Sequence, residues 1–104
     1  MIGVFEEIIL VGKKTKKVKA KIDTGAWRTS IDKSLIKELG FEKIGKTKKV
    51  KSSLGREERE IYKVSFLLKN KRIDTHAFCS DRKNLKYKVI IGRRDLKGFN
   101  IKVR

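Results

Sequence analysis

One short segment of the sequence combines residue types that could carry acid–base chemistry. Asp23, Thr24, Gly25 and Ala26 follow a stretch in which apolar residues and lysines alternate. A carboxylate at the end of a strand can accept or donate a proton, and a glycine permits a tight turn beside it. Asp, Thr and Gly are also common in ordinary turns, so the tripeptide taken alone is explained at least as well by turn chemistry.

Three further segments give this turn a context. Residues 52–59 (SSLGREER), 81–87 (DRKNLKY) and 89–96 (VIIGRRDL) follow it in order. Residues 22–26 and 89–96 resemble the two hallmark segments of retroviral-type aspartic peptidases. The two segments between them resemble motifs of a prokaryotic retropepsin-like family often labelled an ATP-dependent zinc protease, some members of which are associated with ATP-grasp ligases that add glutamate tails to proteins. Four motifs in order, over residues 17–98, are more specific than one.

The resemblance implies an aspartic endopeptidase that works as a homodimer, because the chain holds a single Asp-Thr-Gly. Asp23 of each chain would be catalytic. Thr24 would hold the two turns together across the dimer, Gly25 would leave room for the substrate backbone, and Ala26 would complete the active-site turn.

The dimer follows from the chemistry that the resemblance implies. Peptide hydrolysis by two carboxylates needs one ionised group to take a proton from water and one protonated group to donate to the carbonyl oxygen. Two carboxylates about 3 Å apart share one proton and titrate as a coupled pair. A two-fold axis through Asp23 would supply that pair from one tripeptide per chain.

The resemblance also implies a substrate groove, a flap at residues 52–59 and a supporting segment. The groove and flap residues would be Trp27, Arg28, Ser53, Leu54 and Gly55, and the support would come from Ile91, Gly92 and Arg93. Closing such a flap would exclude water other than the attacking molecule.

Trp27 marks a departure from the family pattern. The alanine of the motif is usually followed directly by Arg-Thr-Ser, whereas here Trp27 precedes Arg28. Retroviral enzymes have an Asp near this position that can pair with the arginine after their Ile-Gly, and Arg93 lacks that partner here. Trp27 is either a core or interface anchor, the commoner fate of tryptophan, or a wall of the groove.

The elements that must position these residues are short and mostly extended. Val18, Ala20 and Ile22 alternate with lysines, which predicts a strand with one buried face that ends at Asp23. A short helix should follow, with Asp32 as its N-cap and Gly40 as its end, and with an apolar side formed by Leu35, Ile36 and Leu39.

The rest of the chain predicts further strands within one domain, residues 1–104. Strands are expected at residues 2–11, near residue 50, and at 60–68, 72–80, 87–91 and 99–103, with a helical turn at 93–96. Short strands at close spacing favour a small barrel or sandwich. With the resemblance, the expected fold is all-β, a small closed barrel of the retroviral aspartic protease type with one or two short helices.

The charge balance favours an acidic partner. The 29 Lys and Arg against 12 Asp and Glu give a formal net charge of +17. Such a surface attracts either nucleic acid or an acidic peptide, and composition does not separate the two. Two dense lysine runs, residues 13–17 and 46–51, are also explained by solvated strand edges. Scattered aromatic residues disfavour nucleic acid. The alternatives are therefore a peptidase with acidic substrates, a non-catalytic binding module for an acidic partner and, third, a small basic β-domain that binds nucleic acid.

No cofactor is expected. His76 and Cys79 are the only His and Cys, they fall on opposite faces of a strand, and no P-loop is present, so neither a zinc site nor ATP binding is predicted. No apolar run is long enough to span a membrane, and one cysteine cannot form an intrachain disulfide. These features predict a cytoplasmic protein without a membrane partner.

Overall fold

Seven strands, one helix and one 3₁₀ turn make up the regular structure in the part of the chain that the computed structural model describes, residues 2–52 and 55–99. The strands are β1 (Phe5–Val11), β2 (Thr15–Asp23), β3 (Ser30–Asp32), β4 (Glu42–Ser52), β5 (Gly55–Leu68), β6 (Lys71–Ser80) and β7 (Val89–Gly92). The helix α1 covers Lys33–Leu39, and the 3₁₀ turn covers Arg93–Leu96.

Six of these strands close into a barrel. Neighbouring strands follow the order β1-β2-β7-β3-β6-β5, and β1 pairs again with β5 through Ile9 and Leu10. β4 lies outside this ring and pairs with β5, so β4 and β5 form a hairpin arm. The closed barrel with one short helix confirms the fold class predicted from the sequence.

Alternating side chains fill the barrel, as the pattern in β2 predicts. Ala20 and Ile22 are buried and Val18 is half-buried, whereas the lysines between them are exposed. The rest of the core comes mainly from the other five barrel strands, from α1 and from the 3₁₀ turn. Its fully buried members include Ile8, Leu10, Ile31, Leu39, Val64, Phe66, Leu68, Val89 and Ile91.

Helix α1 begins and ends at the predicted residues. The carboxylate of Asp32 accepts the amide of Ser34, which caps the first turn. Gly40 adopts φ 66°, the left-handed conformation typical of a helix C-terminus. The amide of Lys13 donates to the carbonyl of Leu39 at 2.8 Å, so α1 is fixed beside the β1–β2 turn.

Several boundaries differ from the sequence expectation. Strand β3 was not predicted, β1 begins at Phe5 rather than at residue 2, and β7 begins at Val89 rather than at residue 87. Three residues are too short a run to show a period of two, and β3 is recognisable only through its pairing with β6 and β7. Phe99 is not in a strand, and residues 100–103 lie outside the described residues.

The pairing of β2 with β7 places the 23–26 turn. The two strands are parallel, and Asp23 lies opposite Gly92 at their carboxyl ends. The predicted support segment therefore runs directly beside the predicted catalytic residue. Among the helices of the described residues, none has the length and apolar character needed to cross a bilayer.

Candidate active site

Asp23 is the last residue of β2, and its carboxylate is held by its own turn. Asp23 Oδ1 accepts the amide of Gly25 at 3.0 Å, and the amide of Ala26 donates to the Asp23 carbonyl at 3.2 Å. The Asp23 side chain is half-buried, while Thr24 and Gly25 are exposed. The turn therefore presents a carboxylate at the surface in a defined direction, with room around its glycine.

The backbone after the turn is fixed to the segment that follows β7. The amide of Arg93 donates to the Ala26 carbonyl at 2.8 Å, and the amide of Arg94 donates to the Trp27 carbonyl at 3.0 Å. Gly92 fits this contact because a Cβ there would lie 2.5 Å from the carbonyl carbon of Arg28. Gly92 and Arg93 thus support the turn through the backbone.

A buried hydroxyl connects the same two segments. Thr29 is fully buried, its Oγ1 accepts the amide of Gly92 at 3.2 Å, and it donates to Asp95 Oδ2 at 2.5 Å. Asp95 is also buried. Because each polar group has a partner, this chain of bonds stabilises the position of residues 26–29 relative to β7.

Arg93 has a different partner from the one that retroviral enzymes supply. Its guanidinium lies over the Trp27 ring, 5.2 Å from the ring centroid. Trp27 itself is 52 % exposed. Trp27, the residue that departs from the family pattern, therefore contacts Arg93 through a cation–π interaction.

A groove of about 480 Å³ opens beside the 23–26 turn, and we call it the turn groove. Its lining comes from the turn itself and from β3, β5, β6 and β7: Gly25, Ala26, Trp27, Arg28, Ser30, Arg59, Phe78 and Ile90. The predicted groove residues Trp27 and Arg28 therefore lie together beside the turn.

The turn groove is cationic. The guanidinium groups of Arg28 and Arg59 lie over the Phe78 ring, 5.2 and 5.5 Å from its centroid. Arg28 also donates to the carbonyl of His76 at 3.3 Å. Burial, and then repulsion from Arg94, lower the pKa of Arg28 from its usual value, which still leaves it charged at neutral pH because arginine titrates far above 7.

A third arginine interacts electrostatically with the turn. Arg82 Nε donates to the carbonyl of Tyr87 at 2.9 Å, and its amide donates to Asp32 Oδ1 at 2.6 Å. Burial lowers the pKa of Arg82, while attraction to Asp23 and Asp32 opposes that shift.

The predicted flap falls on the β4–β5 hairpin. The pairing of the two strands extends to Ser52 opposite Gly55, which makes Gly55 the first residue of β5. Ser53 and Leu54 lie outside the described residues. Arg59 reaches the turn groove from this hairpin.

The two residues with the side chains most typical of a zinc site, His76 and Cys79, lie in β6. Burial raises the pKa of the Cys79 thiol, which disfavours the thiolate that a metal requires. Within residues 2–52 and 55–99, no group of three or more His, Cys, Asp or Glu side chains is arranged to hold a metal ion.

Sequence reasoning missed three members of this site. Arg59 and Asp95 lie within the family-like segments 52–59 and 89–96. Only the fold shows that Arg59 lines the turn groove and that Asp95 accepts a hydrogen bond from Thr29. The position of Phe78 in the groove could not be predicted, because an aromatic residue in a strand is most often a core residue. The one clue in the sequence was the position of Asp95, three residues after Ile91-Gly92.

Comparisons with known proteins agree with this geometry. Residues 9–86 match the family model described as aspartyl protease. No curated protein matches the chain. The solution structure of the simian foamy virus (mac) protease has a TM-score of 0.67 at 20 % identity, covering 88 % of this chain and 90 % of that one.

Two further structures share the fold. A protein of unknown function (DUF785) from Legionella pneumophila subsp. pneumophila str. Philadelphia 1 has a TM-score of 0.69 at 20 % identity and covers 99 % of this chain and 91 % of its own. The foamy viral protease-reverse transcriptase bound to an RNA/DNA hybrid has a TM-score of 0.69 at 22 % identity, covering 96 % of this chain and 12 % of that one. Because the family model covers most of the sequence, the chain belongs to the aspartyl protease family.

Proposed function

We propose that this chain is an aspartic peptidase that becomes active when two copies meet at Asp23. The observation that carries the proposal is the position of Asp23 on a turn held by hydrogen bonds to the segment after β7, in a member of the aspartyl protease family. One Asp-Thr-Gly per chain supplies one carboxylate, and hydrolysis by this mechanism needs two.

The two carboxylates would share one proton. The ionised Asp23 takes a proton from the attacking water, while the protonated Asp23 of the partner subunit donates to the carbonyl oxygen of the scissile bond. The resulting tetrahedral diol breaks down when Asp23 gives its proton to the amine nitrogen, the C–N bond breaks, and Asp23 of the partner subunit takes a proton from a diol hydroxyl. The pair is then back in its starting state. The pair titrates as a unit with two apparent pKa values.

The neighbouring residues have positioning roles in this proposal. Thr24, which is exposed beside Asp23, would bond its counterpart across the two-fold axis, and Gly25 would admit the substrate backbone. Ala26 accepts the amide of Arg93, which fixes the end of the turn. Ile91 supports it from below as a fully buried neighbour of Ile22.

The substrate would lie in the turn groove under the hairpin. Trp27 and Arg28 form part of the lining, and Ser53, Leu54 and Gly55 would form the flap that covers the bound peptide. Among the described residues that line it, the groove has Arg28 and Arg59 and no acid, so we propose acidic peptides as the preferred substrates.

Turnover of a peptide pool by wild type and by Asp23→Asn tests the catalytic claim. The proposal expects cleavage by the wild type and none by the variant, while sedimentation shows the same dimer for both. Cleavage by Asp23→Asn at the wild-type rate would contradict it. A wild type that never cleaves at any pH would instead make the chain a binding module.

Matched peptides test the substrate class separately. Two peptides that differ only in Glu against Gln near the cleaved bond should differ in kcat/KM, with the Glu form faster and the difference shrinking at high salt. Arg28→Ala should reduce that preference more than it reduces turnover of the Gln peptide. Equal rates for both peptides would contradict the acidic preference but would not affect the proposal that two Asp23 carboxylates catalyse hydrolysis.

A further inference from the structure

A second groove lies away from the 23–26 turn. It has a volume of about 480 Å³, opens between β2, α1 and the residues that precede β7, and shares no residue with the turn groove. We call it the lysine groove. Its lining residues are Lys16, Val18, Lys19, Ser34, Leu35, Glu38, Lys86, Tyr87 and Lys88.

The charges of the lysine groove are strongly unequal. Four of its lining residues are lysines, and its single acid, Glu38, pairs with Lys16 at 3.1 Å. Lys88 Nζ donates to the carbonyl of Arg82 at 2.9 Å, which directs that ammonium into the loop. Within the part of the chain that the structure describes, neither Lys19 nor Lys86 forms an ion pair with a carboxylate, so these two ammonium groups provide the uncompensated positive charge of the rim.

These two lysines are held by aromatic rings. Phe5 and Tyr87 stack with centroids 4.7 Å apart and an interplanar angle of 16°. Lys19 lies 5.6 Å from the Phe5 centroid and Lys86 lies 5.7 Å from the Tyr87 centroid. Each ring therefore contacts the other ring and one ammonium group, which holds Lys19 and Lys86 beside the groove.

One wall of the lysine groove is a strand edge. β2 pairs with β7 only from Lys21 to Asp23, and no strand among the described residues pairs with residues 15–20 on that side. A strand edge of this kind can take an extended peptide through main-chain hydrogen bonds. The floor beside it is apolar, since it is formed by Val18 and the buried Leu35.

We propose that the lysine groove is a second binding site, which holds an extended acidic segment of a partner protein. Carboxylates of the segment pair with Lys19 and Lys86, an apolar side chain between them contacts Val18 and Leu35, and the segment runs along the open edge of β2. Charge complementarity favours an acidic ligand, and the strand edge with its apolar floor favours an extended peptide. Binding here is independent of peptide hydrolysis.

Binding of a labelled peptide tests this site in the full chain carrying Asp23→Asn, so that hydrolysis plays no part. The probe is a fluorescein-labelled glutamate decamer with one central leucine, followed by fluorescence anisotropy. Lys19→Glu with Lys86→Glu should weaken binding at least about tenfold, since two facing charge pairs are lost. Lys63→Glu with Lys97→Glu makes the same change in net charge outside both grooves and should weaken it less than about threefold.

Three outcomes would overturn the proposal. Equal loss in the two double variants would show attraction to net charge alone. Loss with Arg28→Ala but not with the Lys19 and Lys86 variant would place the peptide in the turn groove. Tighter binding of a labelled single-stranded oligonucleotide, lost in the same Lys19 and Lys86 variant, would assign the groove to nucleic acid.

Carbodiimide cross-linking locates the bound peptide directly. The probe's carboxylates should form amide bonds with Lys19 and Lys86, located by mass spectrometry, and an excess of unlabelled peptide should suppress them. Cross-links confined to Lys63 and Lys97 would contradict the site. Because the cross-linking is done with Asp23→Asn, in which hydrolysis plays no part, failure of the catalytic proposal would not affect this result.

Discussion

The chain contains two Asp-Thr segments, and they lie at different places in the sheet: one at the end of a strand and one within a strand. Asp23 ends β2, and the next residues leave the sheet in a turn whose Gly25 amide bonds back to its carboxylate. Asp74 lies within β6, exposed, and His76 continues the strand. Its carboxylate accepts Ser65 Oγ at 2.5 Å and Arg72 Nε at 3.2 Å, which lower its pKa.

The difference shows that position relative to the strand end decides what an aspartate can do. A strand-centre carboxylate is occupied by cross-strand neighbours, as Asp74 is by Ser65. A carboxylate at the end of a strand, beside a glycine, projects from the sheet with its second oxygen available. The third residue of the tripeptide, Gly25 against His76, distinguishes the two segments.

The largest expected effect separates these two aspartates by activity. Asp23→Asn should reduce kcat/KM for a peptide substrate by at least about 1000-fold, because the proton-transfer step loses its base. Asp74→Asn is the matched control and should remain within about twofold of wild type. Comparable losses in both variants, measured on proteins of equal thermal stability, would break the comparison.

A smaller effect concerns the support that only the Asp23 segment has. Gly92→Ala places a Cβ 2.5 Å from a backbone carbon of Arg28 and 2.6 Å from the Trp27 carbonyl oxygen, where no flexible side chain can yield. We expect a loss of about 3 kcal/mol in the free energy of unfolding, measured with urea. Gly45→Ala, where nothing lies within 4 Å, should change it little.

The buried hydroxyl of Thr29, which bonds to the supporting segment at Gly92, can be tested in the same way. Thr29→Val keeps the side-chain volume but leaves Asp95 and the Gly92 amide without this partner, which should cost about 2 kcal/mol. Ser65→Ala removes the exposed bond to Asp74 and should cost less than about 0.5 kcal/mol. Equal costs would mean that Thr29 has no special role beside the turn.

The smallest effect at neutral pH is expected from the carboxylate that caps α1. Burial alone would raise the pKa of Asp32, but hydrogen bonds from Ser34 and from the Arg82 amide outweigh it and lower the pKa. The stability from this shift is present above the pKa of the unfolded chain, about 3.9, and is lost as pH falls through the lower folded value. Urea unfolding between pH 6 and about 2.5 should show this loss, and Asp32→Asn should flatten it.

The sequence predicted the parts of the fold that depend on local rules. The alternation at Val18, Ala20 and Ile22, the cap at Asp32 and the helix end at Gly40 each follow from a few adjacent residues, and the structure confirms them. The 3₁₀ turn Arg93–Leu96 was predicted for the same reason. The closed barrel could be predicted only with the family resemblance, because the residue patterns alone were equally compatible with a β-sandwich.

Pairings between distant residues could not be predicted. Ser30–Asp32 forms a strand only because β6 and β7 lie on either side of it. The bond from Thr29 to Asp95 joins residues 66 positions apart, and no local pattern marks it. The contact of Arg93 with Trp27 was also unpredicted, because the sequence showed only that the usual carboxylate was missing.

A subunit-mixing experiment tests the central claim most directly. Wild type and Asp23→Asn are mixed in equal amounts, allowed to exchange subunits, and assayed at constant total protein concentration. If each active site needs Asp23 from both chains, the mixture retains about one quarter of the wild-type activity, because only wild-type pairs cleave. Retention of about one half would show that each chain works alone and would contradict the shared carboxylate pair.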